Sequence, residues 1–140
     1  MNILNIIIEQ KLLEISIQSL KVSIDELKSK DRELPLVSFK NALLKDQTQI
    51  IAEIKQKSPS EGSINNKINF LDIAKDYEKN GASSISVLTD KEFFGGSLRF
   101  LKEIKKNVKI PVLQKDFIIS DCQIYQSYFY GADAILLISE

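Results

Sequence analysis

The sequence predicts an α/β fold in which a parallel sheet is covered by helices. Four short apolar runs, Gln49–Lys55, Ser84–Thr89, Pro111–Lys115 and Asp133–Ile138, succeed one another after Asp46. Their starts fall 22–35 residues apart, about the length of a βαβ unit with its crossover helix. Helix-periodic stretches separate them, and strands that alternate with helices pair in parallel. A closed (β/α)₈ barrel takes eight strands and typically about 250 residues. Periodicity alone therefore leaves two architectures open, a small open α/β sheet or half a barrel.

The elements follow in order. Leu4, Ile7, Ile8, Leu12 and Ile15 recur at helical spacing and predict an amphipathic helix. Ser23 and Glu26 have the spacing of a capping box that opens a short helix through Leu27. Pro35 interrupts, and Phe39, Ala42 and Leu43 predict one or two further helical turns. Between the first and second strands, Phe70, Ile73, Ala74 and Tyr77 share a helix face that Asn80-Gly81 terminates. Leu98, Leu101 and Ile104 mark the next helix, with Ser97 as its N-cap. Ser120 and Gln123 form a second capping-box pattern, before a helix that turns Ile124 and Tyr128 inward and ends at Gly131.

Composition excludes several function classes. Lysine plus arginine equals aspartate plus glutamate at 19 each, so no net field recruits nucleic acid or a membrane surface. Histidine is absent, which removes Ser-His and Cys-His nucleophile pairs and histidine zinc sites. Cys122 is the one cysteine, so neither an internal disulfide nor a cysteine metal cluster forms. Acid–base work falls to carboxylates and lysines. The apolar start, MNILNIIIEQKLLEI, is broken by Asn5, Glu9, Gln10 and Lys11 too soon for a membrane span, and it has no signal-peptide pattern. A cytoplasmic protein is expected.

Candidate chemistry gathers at strand ends. In the first strand Ile51, Glu53 and Lys55 share one face, while Ala52 and Ile54 share the other. Two opposite charges thus stand at the C-terminal end of an otherwise apolar strand, as a plain ion pair or as a working one. Lys115 ends the third strand, at the edge where parallel α/β folds bind ligands. Phe117 follows two residues on, and a lysine among apolar walls can be tuned toward a useful acid. In the loop TDKEFFGGS, Phe93 and Phe94 stand beside Gly95-Gly96 and either cover an apolar ligand or pack beneath the loop. Ser58-Pro59-Ser60 with Gly62 is a turn by composition.

The blocks AEIKQKSPSEG, GASSISVLTDKEFFGGS, PVLQKDFIISDCQIYQ and GADAILLI resemble indole-3-glycerol phosphate synthase, in that family's order and at its spacing. The extension ending in SFKNAL fits the resemblance too. It implies a TIM barrel, with residues 1–46 as an N-terminal helical extension and 47–140 as the first half of the (β/α)₈ barrel. It implies a carboxy-lyase of tryptophan biosynthesis that works without cofactor or metal. The substrate is 1-(2-carboxyphenylamino)-1-deoxyribulose 5-phosphate, and ring closure with loss of carbon dioxide and water gives indole-3-glycerol phosphate. By the same resemblance Lys115 is the general acid, Lys55 holds anionic groups of the substrate, and Glu53 positions Lys55 and joins proton transfer. Ser58 and Pro59 contact substrate, and Phe94, Phe117 and Leu136 wall the anthranilate ring.

The resemblance also implies that the family's strand-five glutamate, strand-six asparagine and phosphate loops lie beyond Glu140. The expectation is that this chain alone is inactive and either self-associates or needs a C-terminal half. Two alternatives compete: another phosphate-sugar barrel enzyme of the same pathway, and a non-catalytic half-barrel that serves assembly. The K-D-F strand and the SPS loop speak against the first. The second gives Glu53, Lys55 and Lys115 no explanation.

Overall fold

The computed structural model describes residues 2–60, 62–63 and 69–139; Met1, Glu61, residues 64–68 and Glu140 lie outside the described residues. Three helices come first: α1 (Ile3–Ser19), α2 (Ile24–Ser29) and α3 (Phe39–Leu43). Strand β1 (Ile51–Ile54) follows, then a two-residue pair β2 (Lys57–Ser58) and β3 (Gly62–Ser63). The remainder alternates: α4 (Phe70–Lys79), β4 (Ser84–Leu88), α5 (Leu98–Asn107), β5 (Val112–Lys115), α6 (Asp121–Tyr130) and β6 (Ala134–Ile135).

The main sheet is parallel with strand order β1-β4-β5-β6. Each strand lies beside its predecessor, as around a barrel, with no reversal of the kind that makes a doubly wound sheet. Ala52, Ile54, Ile85, Val87 and Val112 face the helices. Of these, Ile54, Ile85, Val87 and Val112 join Ala74, Leu101 and Ile104 in the core. Glu53, Ser86, Leu113 and Ala134 stand in register on the opposite face. That face is open at its margin: Ile51 is 45% exposed, although Leu113 is buried. The apolar row on this face is thus exposed only in part, because Ser84, Ser86 and Ala134 are small enough for Leu113 to sink among its neighbours.

Local signals set most ends. Ser97 Oγ accepts from the Arg99 amide at 3.1 Å, and Asn80-Gly81 and Gly131 stop α4 and α6, both glycines with positive φ. Gln123 Oε1 reaches back to the amides of Ser120 and Ile119, so the cap of α6 forms. Only half of the other capping box does: Ser23 accepts from the Glu26 amide, but the Glu26 carboxylate reaches forward to Lys30.

Three expectations need correction. Ile124 and Tyr128 do not face inward; they are 45% and 48% exposed, and Gln123, Gln126 and Ser127 are buried instead. The buried face of α6 is rotated because Gln123 must turn in to serve as its cap. On α1, Leu12 is exposed while Lys11 is buried, so the charge rather than the leucine faces the protein. The fourth strand spans two residues rather than six, because among the described residues β6 has a ladder partner on one side alone. The turn read at Ser58-Pro59-Ser60 does form at Pro59 and Ser60, next to the antiparallel pairing of Lys57–Ser58 with Gly62–Ser63.

The extension straps the sheet at both ends. Beneath the strand starts, Asp133 accepts from Arg32 Nη2 at 2.8 Å and Lys105 Nζ at 2.6 Å. The amides of Val37 and Val112 complete its shell at 2.9 and 2.8 Å. Above the strand ends, Lys11 of α1 reaches Asp90 and Asp116 at 2.8 and 2.9 Å.

Candidate active site

The sheet brings Glu53, Lys55 and Lys115 to one place. Glu53 and Lys55 extend from the C-terminal end of β1, and Lys115 ends β5 with β4 between them. Lys115 Nζ donates to Glu53 Oε2 at 2.7 Å, and Lys55 Nζ lies 4.0 Å from Glu53 Oε1. One carboxylate thus faces two ammonium groups, an arrangement with a net positive charge and a ready proton path between Lys115 and Glu53. All three side chains are about one-third exposed or somewhat more, so they stay open to a ligand.

Apolar walls surround the charges. A cavity of about 140 Å³ is lined by Glu53, Lys55, Lys115, Phe94, Phe117 and Leu136, among others. The Phe94 and Phe117 rings lie 6.2 Å apart at 32°, a tilted pair that lines the same cavity as Lys55 and Lys115. A second groove of about 480 Å³ shares Lys55, Phe94 and Phe117 and adds Ser58, Pro59 and the Ile3–Ile7 side of α1. Small-molecule pockets commonly measure about 300–1,000 Å³, so the groove is of ligand size and the inner cavity holds only a part of one. Every residue to which the family resemblance gives a role lies in one or both spaces. Phe93 does not line either and serves the loop through its backbone.

Loop chemistry explains how Phe94 is held. Asp90 Oδ1 accepts from the amides of Phe93 and Phe94 at 2.7 and 3.2 Å, and the Phe94 carbonyl accepts from Lys57 N at 3.3 Å. Gly96 is required for close approach: a Cβ there would collide with the Leu88 carbonyl and lie 2.7 Å from Thr89 Cα. Gly95-Gly96 is accordingly a packing device and has no phosphate-cradle geometry of its own.

Sequence reasoning missed the polar network behind these walls. Asp116, between Lys115 and Phe117, accepts from Thr89 Oγ1 at 2.5 Å, and Gln114 Nε2 donates to Thr89 Oγ1 at 3.0 Å. Lys11 closes the network. Burial pulls its pKa down, but the charges of Asp116 and Asp90 and their hydrogen bonds outweigh burial and raise it above its usual value. No group of acidic, cysteine or histidine side chains suited to a metal ion occurs among the described residues. Nor is any described helix long and apolar enough to cross a membrane.

Comparison with known proteins decides the kinship. Residues 4–140 match the family profile for indole-3-glycerol phosphate synthase. The chain belongs to that family. Its fold is the TIM barrel, and the β1-β4-β5-β6 sheet corresponds to four consecutive barrel strands. An indole-3-glycerol phosphate synthase of Endomicrobium trichonymphae is 57% identical over 102 residues, covering 73% of this chain and 40% of that protein. Synthases of Bacteroides thetaiotaomicron and Prochlorococcus marinus are 42% and 48% identical, each across 99% of this chain. They are covered over 54% and 48% of their own lengths, so the chain spans about half the length of the curated relatives it matches.

Proposed function

We propose that this chain supplies the first half of an indole-3-glycerol phosphate synthase active site, the half that holds the anthranilate ring and delivers the proton for ring closure. The observation that carries the reading is the Lys115–Glu53–Lys55 cluster beside the Phe94–Phe117 pair. The substrate, 1-(2-carboxyphenylamino)-1-deoxyribulose 5-phosphate, joins an aromatic carboxylate to a ketose phosphate. Its ring fits against Phe94, Phe117 and Leu136, with Ser58 and Pro59 at the rim.

In this reading Lys115 gives its proton to the ketose oxygen as the ring carbon attacks the ketose carbon. Lys55 stabilises the carboxylate that later leaves as carbon dioxide. Glu53 orients both ammonium groups and takes part in returning the proton. Positive charge fixed in place before the reaction is the efficient way to stabilise a developing anion. No step calls for a cofactor or metal.

The domain division follows: residues 1–46 as extension, 47–140 as half a barrel. The remaining catalytic groups, including a general base and the phosphate loops, come from a second half. Without that half these residues turn over no substrate, and the reading places the activity in the cytoplasm. A half-barrel that served assembly alone would need none of the three charged residues.

The test is Lys115→Ala in a protein that carries the second half of the barrel. A general acid contributes about 10²–10⁴ in rate, so kcat falls by that factor while KM changes little. Near-normal turnover would remove Lys115 from the chemistry.

A further inference from the structure

Lys11 is 4% exposed, an unusual place for a lysine of a terminal helix. Its ammonium meets three carboxylates: Asp90 Oδ2 at 2.8 Å, Asp116 Oδ1 at 2.9 Å and Glu14 Oε2 at 3.0 Å. Asp90 and Asp116 are themselves 1% and 8% exposed. Each also holds a piece of the candidate site. Asp90 Oδ1 carries the amides of Phe93 and Phe94, and Asp116 Oδ1 accepts from the Phe117 amide at 2.8 Å. Asp116 is also the covalent neighbour of Lys115.

We propose that Lys11 is a positioning residue: clamped between Asp90 and Asp116, it fixes the loop that carries Phe94 and the strand end that carries Lys115 and Phe117. The proposal rests on the reading of those residues as an active site, but the clamp itself is a separate claim. Without the ammonium, two buried carboxylates in contact with the same point face each other uncompensated. Like charges so placed must separate or take up a proton. Separation moves the β4–α5 loop away from the end of β5, and with it Phe94 away from Phe117. A single cation thereby couples α1 to both the loop and the strand end, which Thr89 and Asp116 otherwise join only to each other among the described residues.

The experiment is amide hydrogen exchange on this chain, comparing the parent with Lys11→Met and Lys11→Arg. Methionine keeps the unbranched stem and drops the charge. Losing a charge-assisted buried contact lowers local protection by at least about tenfold. The amides of Phe93, Phe94 and Phe117 should therefore exchange at least about tenfold faster in Lys11→Met while those of Ser84–Leu88 stay as slow as in the parent. Lys11→Arg should recover most of the protection. Unchanged exchange at the three phenylalanines would overturn the proposal. Acceleration spread evenly into β4 would do so too, because it would make Lys11 a general stabiliser. Should Lys11→Met fail to fold, Asp90→Asn removes the same attraction from the other side. It must then loosen Phe93 and Phe94 before Phe117, and equal protection would count against the clamp. An error in the active-site reading shows itself elsewhere, in an active Lys115→Ala enzyme, and leaves the exchange comparison intact.

Discussion

Replacing Asp133 by alanine tests the lower strap. The carboxylate is wholly buried and is the shared partner of Arg32 and Lys105, whose side chains are 5% and 2% exposed. Arg32 would keep its backbone acceptors, among them the carbonyls of Leu34, Gly131 and Ala132. Among the described residues Lys105 Nζ has no acceptor besides Asp133, so its ammonium would be stranded beside two amides that lose their acceptor. Removing one side of a buried ion pair costs about 3–5 kcal/mol. Water entering the vacated space relieves the amides, and the expected loss is about 4 kcal/mol. Domain stabilities run about 5–15 kcal/mol, so a large share of the total would vanish. Asp133→Asn keeps the shape and one acceptor and should cost about 2 kcal/mol. Lys105→Met should cost less than either, because Asp133 would retain Arg32 and both amides. Urea unfolding followed by circular dichroism measures all three. An Asp133→Ala unfolding free energy within about 1 kcal/mol of the parent, or Lys105→Met as the most damaging of the set, would refute the accounting.

Further outcomes follow from the same geometry. Lys115→Ala should cost under about 1 kcal/mol of stability, because Lys115 and Glu53 are 42% and 33% exposed and such pairs are screened; a larger loss would make the pair structural. Lys11 has a folded-state pKa above its ordinary 10.5, so its contribution is complete below that pH and is lost as pH rises beyond it. Glu14, Asp90 and Asp116 are the charged groups that face it. The stability gap between the parent and Lys11→Met should therefore be flat through neutral pH and narrow above about pH 10.5, and a gap that widened there would reverse the sign. Light scattering should find these 140 residues self-associated, because among the described residues β1 and β6 each have a ladder partner on one side alone and Ile51, Leu137 and Ile138 are exposed. A monodisperse monomer would refute that.

The repetitive part of the architecture was readable in the residues. Glycine stops, serine caps and alternating apolar runs are local signals, and each acted where it stood: Ser97, Asn80-Gly81 and Gly131 need only near neighbours. Glu53, Lys55 and Lys115 were readable as candidates because charges at the ends of apolar strands break a pattern. What failed were cases where one position had two demands on it. Gln123 reads as a polar surface residue, yet its cap turns it inward and rotates Ile124 and Tyr128 outward. The fourth apolar run reads as a strand of six residues, yet pairing shortens it.

Lys11 shows why the remainder was hidden. By periodicity it interrupts an apolar helix and belongs on the solvent side. Its burial is decided by two carboxylates far along the chain, each of which reads as an ordinary loop acid. Only the parallel register of β4 and β5, which sets Leu88 beside Lys115, brings Asp90 and Asp116 within reach of one nitrogen. The same logic governs Asp133, which joins Arg32 of the extension to Lys105 of α5. Both nodes pair a charge from the extension with acids just outside a strand, one above the sheet and one below. Buried charges contribute little net stability over apolar packing, but they tolerate few alternative arrangements. An apolar extension could slide along the sheet. One pinned by Lys11 and Arg32 at opposite ends holds α1 over the strand ends, where Ile3, Leu4 and Ile7 complete the groove beside Phe94 and Phe117.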